Sequence, residues 1–306
     1  MRMILGAVLL FAGICGCAKS DKADDIALIQ ERYRGEQVSW MAALLQGFAA
    51  FDARDADAAA LQLDAAYQQG CRDPLALYRY GVVLAQQGKT EEARALLLDA
   101  ASDLAAFYPG HRANPELWIT LGNMDFRAED YAMALGRYER ALAAAETGAG
   151  GRKSDIYYSM GMALRRLARY AEAANWMEKA NADDFLVNYY IADVYNELKK
   201  YDLAMRRMQR AADLKPEESR ASGTLGHFYY ALSEREEQAE RFDKALEAIR
   251  KGVPWYERAV RTGGDMYAEY LEAAKSRIHD LERIKEAAKS GQIRRAEAEK
   301  DESPPQ

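Results

Sequence analysis

A small residue recurs at nearly regular intervals along most of this chain. It is glycine five times and alanine once, and the intervals are 34, 41, 39, 31 and 34 residues. Two helices approach closely only where no large side chain separates them, so a small residue at a fixed spacing favours repeated helix–helix contacts. The spacing predicts six copies of one helical hairpin. Their small residues are Gly47, Gly81, Gly122, Gly161, Ala192 and Gly226.

Two alanines and one large apolar residue follow each of the first five small residues at constant offsets. In the clearest copy, Gly122 is followed by Ala134 and Ala141, with Tyr138 between them. The small and large residues would therefore meet where the two helices of a hairpin cross. The same offsets give Ala59/Ala66 with Leu63, Ala93/Ala100 with Leu97, Ala173/Ala180 with Met177, and Ala204/Ala211 with Met208.

The pattern weakens after the fifth copy. The sixth keeps Phe242 and Ala245 but has Gln238 where the first alanine is expected, so its second helix should pack more loosely. A short helix of a degenerate seventh copy is predicted to open at Pro254. A long helix should follow from Asp265 to about residue 289, because apolar residues recur there at helical spacing. These are Tyr267, Leu271, Ala274, Ile278 and Leu281.

These spacings resemble the tetratricopeptide repeat (TPR), a helix–turn–helix unit of 34 residues. The resemblance implies an all-α fold, a right-handed TPR superhelix or α-solenoid of about six hairpins, with a degenerate seventh and a C-terminal capping helix. Only seven prolines and many helix-forming residues agree with this fold. The six repeats would span 37–252, and the degenerate repeat with the capping helix 253–290. A disordered tail is expected over 291–306.

The first residues differ from the rest of the chain. Arg2 precedes an apolar run of about fourteen residues, which is shorter than the roughly twenty needed to cross a bilayer. The run is typical of a secretory signal. Ile14-Cys15-Gly16-Cys17 then resembles a bacterial lipobox, which implies a signal peptide over 1–16 and lipidation of Cys17. Residues 17–36 would form a tether and an entry helix. Cys15 is the weaker candidate for lipidation, because the bulky Ile14 precedes it, and a cleaved signal without a lipid is the alternative.

Charge and composition argue against several classes of function. Loss of the signal would remove Arg2 and change the net charge from −6 to −7, which gives no reason to expect nucleic acid as a partner. The three histidines have no neighbour at metal-ligand spacing, so we expect no metal. The glycine-rich stretch 148–154 lacks the spacing of a phosphate-binding loop. We therefore expect no cofactor and no enzymatic activity. Cys71, in a predicted turn, should be partly exposed.

The TPR resemblance also implies where a partner would bind. In TPR arrays the first helix of each hairpin lines a groove with its positions 2, 5, 9, 12 and 13, counted with the small residue at position 8. Here those positions are rich in tyrosine, arginine and asparagine, a composition typical of recognition surfaces. A merely solvated face is the alternative. The predicted groove residues are Tyr78, Asn123, Arg127, Tyr158, Arg165, Arg166, Tyr189, Asp193, Asn196, His227 and Tyr230.

One specialised TPR site can be excluded from the sequence. Asn123 and Phe126 match TPR domains that clamp a terminal carboxylate, but Ile119 stands where that family has lysine and Ser159 where it has a second asparagine. A contact of Arg127 or Arg165 with an acidic group of another kind remains a hypothesis.

Resemblance to TPR lipoproteins implies an adaptor or scaffold anchored in the bacterial cell envelope. The lipid would hold it to a membrane, with the periplasmic face of the outer membrane favoured and the cell surface as the alternative. The partner would be a protein or peptide, bound during assembly of an envelope complex. The second hypothesis is an accessory subunit of a periplasmic solute-binding or transport system, with a small ligand enclosed among Tyr158, Tyr189 and Arg165. Any oligomeric state is compatible with the sequence.

Overall fold

The computed structural model describes the backbone over residues 22–108, 115–147 and 152–301, and side chains over 25–108, 115–147 and 152–290. The signal segment, Cys17 and His111 lie outside these ranges, as do residues 148–151. Every regular element in the described ranges is helical, so the predicted all-α fold is confirmed. The α-helices are α1 (Lys22–Arg32), α2 (Met41–Asp52), α3 (Ala56–Gln68), α4 (Pro74–Gln86), α5 (Thr90–Phe107), α6 (Pro115–Arg127), α7 (Tyr131–Thr147), α8 (Lys153–Arg166), α9 (Tyr170–Met177), α10 (Phe185–Glu197), α11 (Tyr201–Leu214), α12 (Ser219–Gln238), α13 (Phe242–Arg261) and α14 (Ala268–Asp301).

The chain forms two compact units, which divide between Ala163 and Leu164. In the first unit, α2 packs on α3, α4 on α5 and α6 on α7. In the second unit, α10 packs on α11, α12 on α13, and α13 on α14. None of the helices over the described residues combines the length and the apolar character that a membrane-spanning segment needs.

The recurring glycines let the two helices of a hairpin touch. A Cβ on Gly47 would lie 2.8 Å from Cγ of Leu63, and one on Gly81 would lie 2.7 Å from Cγ of Leu97. These separations are far below van der Waals contact. The glycine of the first helix and the large residue of the second therefore interlock, as the spacing predicts, and a side chain in place of the glycine requires the neighbouring side chain or helix to shift.

One residue in the left-handed backbone region closes each hairpin. Five of these residues are not glycine and have φ between 57° and 62°. In the first five hairpins this residue lies seven positions after the small residue, for example Arg54 after Gly47. In the sixth hairpin Glu240 lies fourteen positions after Gly226. The sixth hairpin therefore has a different register from the one that the sequence spacing predicts.

The small residue at position 8 of the sixth hairpin is Ser233 rather than Gly226. With Ser233 at position 8, Ala245 and Gly252 occupy the two alanine positions and Ile249 the large apolar position. Ser233, Ala245 and Ile249 are all fully buried, so the expected mismatch at Gln238 does not arise. The error of seven residues is two helical turns, and it leaves every residue on the same face of its helix.

The C-terminal part differs from the sequence expectation in two places. Helix α13 runs without a break through Pro254, so no separate helix opens there. Burial of Tyr256 and Ala259 on the continuing face stabilises this segment and offsets the missing N–H group of the proline. Helix α14 continues to Asp301, past the expected start of the tail at 291, because residues 292–300 are nearly all strong helix formers. Residues 302–306 lie outside the described ranges.

The predicted apolar stripe of the last helix is confirmed. Tyr267, in a short 3₁₀ turn before α14, is buried together with Leu271, Ala274 and Leu281, and Ile278 packs against this cluster. The stripe therefore seats α14 on the sixth hairpin. Cys71, which we expected to be partly exposed, is buried, and burial raises the pKa of its thiol to about 11.

Candidate partner-binding surface

The predicted groove residues occupy what we call the inner-face positions: positions 2, 5, 9, 12 and 13 of the first helix of each hairpin. In the first two hairpins several of these positions are buried in a core that α1 joins. Tyr78, in α4, is 7% exposed, and Phe48 and Leu75 are fully buried. Ile29 of α1 belongs to the same core cluster. Tyr78 is thus a core residue with almost no surface to offer a partner.

The third hairpin uses its inner-face asparagine for its own packing. Oδ1 of Asn123 accepts a hydrogen bond from the hydroxyl of Tyr138, at 2.8 Å. The Tyr138 ring lies against Gly122 and is almost fully buried. Asn123 therefore orients the ring that closes its hairpin. Of the other predicted residues in this unit, Arg127 is exposed at the end of α6 and Tyr158 is half-buried in α8.

In the second unit, an ion pair joins the fourth and fifth hairpins. Nε of Arg165 donates to Oδ2 of Asp193 at 2.6 Å, and the guanidinium lies 5.4 Å from the ring centroid of Tyr190. About a quarter of the Arg165 side chain and a third of the Asp193 side chain are exposed. The positive charge of Arg165 is already paired, which argues against this residue as the binding site of a partner's acidic group.

Tyr189 lies at the centre of an aromatic cluster in the same unit. Its ring stacks on Phe185 with a centroid separation of 5.9 Å and meets the edge of Tyr190 at 5.3 Å. The guanidinium of Arg220 lies 6.0 Å from the same ring. Tyr189 and Tyr190 are both half-buried, and burial raises the pKa of Tyr190. Tyrosines held in this way present aromatic surface and hydroxyl groups with little entropy left to lose.

A second ion pair neutralises Arg220. Its Nε and Nη2 donate to the two carboxylate oxygens of Glu218 at 2.8 and 3.2 Å. These hydrogen bonds lower the pKa of Glu218, so the carboxylate stays ionised at neutral pH. We call Phe185, Tyr189, Tyr190, Arg165, Asp193, Arg220 and Glu218 the Tyr189 cluster. Its two arginines are each matched by a carboxylate, so the cluster offers aromatic and forked hydrogen-bonding surface without net charge.

His227 is covered by the chain's own C-terminal part. Its Nδ1 lies 2.8 Å from the hydroxyl of Tyr256, and its ring meets that of Tyr270, in α14, at 4.5 Å. Burial lowers the pKa of His227, which favours the neutral ring, and the tautomer with an unprotonated Nδ1 accepts a hydrogen bond from the Tyr256 hydroxyl. Tyr267 packs so tightly over Gly223 that a Cβ there would overlap its ring.

Tyr230 is covered by the same helix. The guanidinium of Arg277, in α14, lies 5.2 Å from the Tyr230 ring. Arg277 also donates to Oγ of Ser233 at 3.1 Å and to Glu237 at 2.6 Å. Helix α14 thus holds the inner-face positions of α12 by specific polar contacts. His227 and Tyr230 belong to this intramolecular packing.

The remaining predicted residues lie near the Tyr189 cluster in sequence and unit. Asn196 is half-buried one turn beyond Asp193, and Arg166 is exposed beside Arg165. Sequence reasoning missed Tyr190 and Arg220. Tyr190 follows Tyr189 at a position that usually faces the neighbouring hairpin, and Arg220 lies in the extra turns of α12 that the wrong register hid. Within the described residues, no cluster of three or more His, Cys, Asp or Glu side chains could hold a metal ion.

Comparison with known proteins agrees with this fold. Residues 154–181 match the family model of the tetratricopeptide repeat, and no curated protein sequence matches the chain. The structure is similar to the C-terminal part of a TPR repeat-containing protein from Cytophaga hutchinsonii, with a TM-score of 0.54 and 16% identity over 78% of this chain and 95% of that one. It is also similar to YrrB, described as a TPR protein with an unusual peptide-binding site, with a TM-score of 0.50 and 18% identity over 69% of this chain and 97% of that one. The fold is therefore that of TPR proteins.

Proposed function

We propose that this chain is a non-enzymatic TPR-type scaffold that binds a protein or peptide at the Tyr189 cluster. One observation carries the proposal: Tyr189, at an inner-face position, and its neighbour Tyr190 stay half-exposed, whereas Tyr78 is buried and the half-buried His227 and Tyr230 are engaged by side chains of α13 and α14. The fold shared with other TPR proteins, among them one described as binding a peptide, supports the same function. Fold alone does not specify the partner.

The paired charges of the cluster indicate how it would bind. A surface whose arginines are already neutralised gains little from a partner's net charge, and its ion pairs are weak where they face solvent. Binding would come from aromatic contact and from hydrogen bonds to tyrosine hydroxyls and arginine forks. An extended segment or one face of a helix would fit such a surface. Its affinity should depend only weakly on salt concentration.

Substitution of Tyr189 by alanine should release the partner. Affinity purification of the tagged full chain from its cells would be quantified by mass spectrometry for the wild type, Tyr189→Ala and Tyr201→Ala. Tyr201 is the matched control, because it is an exposed tyrosine on the second helix of the same hairpin. We expect one protein to be recovered with both the wild type and Tyr201→Ala. Its recovered amount should fall at least tenfold with Tyr189→Ala, the loss typical of a buried tyrosine anchor. Equal recovery with all three chains would reject the site.

We further propose that the scaffold acts in the bacterial cell envelope, held to a membrane by lipid on Cys17, and serves in assembly of an envelope complex. The lipobox-like Ile14-Cys15-Gly16-Cys17 supports the anchor. Two or more acyl chains on one residue are enough for stable membrane attachment. The periplasmic face of the outer membrane is the favoured site.

Cys17→Ala should abolish incorporation of a labelled fatty acid and move the protein from the membrane fraction to the soluble fraction. Cys15→Ala is the control and should keep both the label and the membrane attachment. Cys71 is buried and its thiol pKa is raised to about 11, so we expect no acylation there. Label that survives in Cys17→Ala would contradict the proposed anchor.

A further inference from the structure

The inner face of the first two hairpins already holds a ligand-like segment, the N-terminal helix α1. Asp25 of α1 accepts a hydrogen bond from Nη2 of Arg79, in α4, at 2.8 Å. Both side chains of this ion pair are more than nine-tenths buried. Four residues further along α1, Ile29 is 1% exposed in the core cluster that contains Phe48 and Tyr78. One carboxylate and one aliphatic residue thus anchor the first half of α1.

The C-terminal end of α1 contacts the end of α5 and lies near the start of α4. Arg32 donates a hydrogen bond to the carbonyl oxygen of Phe107 at 3.2 Å, and its guanidinium lies 4.0 Å from the centroid of the Phe107 ring. Tyr33 meets the ring of Trp40 edge-on at 4.9 Å, and burial together with the nearby carboxylate of Asp73, the N-cap residue of α4, raises the pKa of Tyr33. Asp25, Ile29 and Arg32 are spaced three or four residues apart, so α1 contacts the first two hairpins through one face, which is the way an amphipathic helix lies in a groove.

The covered surface is built to stay intact when α1 leaves. Arg79 also pairs with Asp52, in α2, at 3.3 Å, and its guanidinium lies 4.0 Å from the Phe48 ring. If α1 left, the charge of Arg79 would therefore still be paired with Asp52, which belongs to the first hairpin. Loss of α1 would expose an apolar strip and a guanidinium with room for one more carboxylate, which is a receptor for another helix of the same kind.

Helix α1 depends on these contacts for its stability. It has eleven residues, fewer than an isolated helix needs for stability in water. The segment from Arg34 to Ser39 connects it to α2 and is exposed except at Val38. Gly35 in this connection has φ of +85° with nothing within 4 Å of its missing Cβ, so the hinge is not packed in place.

We propose that the inner face of α2 and α4 is a helix-binding site that α1 occupies, and that a partner helix displaces α1 from it. The partner helix would carry a carboxylate followed by aliphatic residues at +1 and +4 and arginine at +7, as Asp25, Ile26, Ile29 and Arg32 do. This site lies in the first unit and is independent of the Tyr189 cluster, so each proposal can fail without the other.

The test uses the full chain with α1 undocked and a fluorescent peptide of residues 22–36 as the probe. Ile29→Asp places a charge in the core and should release α1. Leu28→Asp is the matched control, because Leu28 is next to Ile29 in the chain but its side chain is exposed. We expect the peptide to bind the Ile29→Asp chain at least tenfold more tightly than it binds the wild type or Leu28→Asp. The same peptide with Asp25→Asn should bind the Ile29→Asp chain at least tenfold more weakly. Equal affinity of the unmodified peptide for all three chains would overturn the proposal.

A second measurement keeps the test decisive if Ile29→Asp also unfolds the first two hairpins. Amide hydrogen exchange of the wild type reports how often each helix opens. We expect the α1 amides to exchange at least tenfold faster than those of α4. Saturating unlabelled peptide should accelerate exchange of α1 further while leaving α4 unchanged. Equal protection of α1 and α4, unaffected by the peptide, would show that α1 is a fixed part of the core.

Discussion

Gly122→Leu should lower the free energy of unfolding by at least about 3 kcal/mol, because overpacking of a tight interface commonly costs 1–3 kcal/mol and here the neighbour cannot move away. A Cβ on Gly122 would already lie 2.6 Å from Cε1 of Tyr138. That ring is 2% exposed and its hydroxyl is held by Asn123. The three further carbon atoms of leucine have no space between α6 and α7. Urea unfolding followed by circular dichroism measures the change.

Gly136→Leu is the control for this substitution. Gly136 lies in α7, the second helix of the same hairpin, and a Cβ there meets nothing within 4 Å. Leucine should be accommodated at the surface and should stabilise the helix by up to about 1 kcal/mol, the difference in helix propensity. If Gly122→Leu unfolded at the same urea concentration as Gly136→Leu, the interlock between Gly122 and Tyr138 would be wrong.

Asp125→Asn should lower the free energy of unfolding by about 3–5 kcal/mol, the range for removal of one member of a buried ion pair. Asp125 is 3% exposed and pairs with two arginines, Arg94 and Arg137, from the helices on either side. The amide has nearly the same shape but no charge. Both guanidiniums would then remain partly buried without a counter-ion. The Asp125 oxygen facing Arg137 has no hydrogen-bond partner, so the ion pair at 3.5 Å is its main polar contact.

The control for Asp125 is an ion pair of the same chemistry at the surface. Glu172 accepts two hydrogen bonds from Arg169, and roughly half of each side chain is exposed. Glu172→Gln should leave the urea midpoint unchanged within error, because solvent screens the pair. A comparable shift for Asp125→Asn and Glu172→Gln would mean that burial does not set the strength of the Asp125 pair.

The hairpins could be predicted from sequence because their contacts are local. The small residue and the large apolar residue of a hairpin, for example Gly81 and Leu97, are sixteen residues apart in each of the first five hairpins. The turn between the two helices fixes which of their residues face each other. The sixth hairpin shows the limit of this reasoning. A shift of two turns keeps Phe242 and Ala245 at positions that accept such residues, so spacing alone could not distinguish Gly226 from Ser233.

The binding surface could be predicted only in part, for a different physical reason. Repeat positions identified Tyr189 and Asp193, and the Arg165–Asp193 pair joins inner-face positions of successive hairpins. The same positions included Tyr78, which is buried in the core that α1 joins, and Tyr230, which Arg277 of α14 contacts. The repeat spacing carries no information about where these flanking helices dock. Their docking depends on side-chain contacts across 54 residues for Asp25 with Arg79 and 40 residues for Arg277 with Glu237.

The most direct measurement is photo-crosslinking in living cells, with benzoylphenylalanine incorporated in place of Tyr189 or, in a second chain, of Tyr201. Both residues belong to the fifth hairpin, and they lie on different helices, α10 and α11. If the inner face of the second unit binds the partner, irradiation gives a defined adduct from position 189 and none from position 201. Adducts from position 201 alone, or the same adducts from both, would contradict partner binding at the Tyr189 cluster.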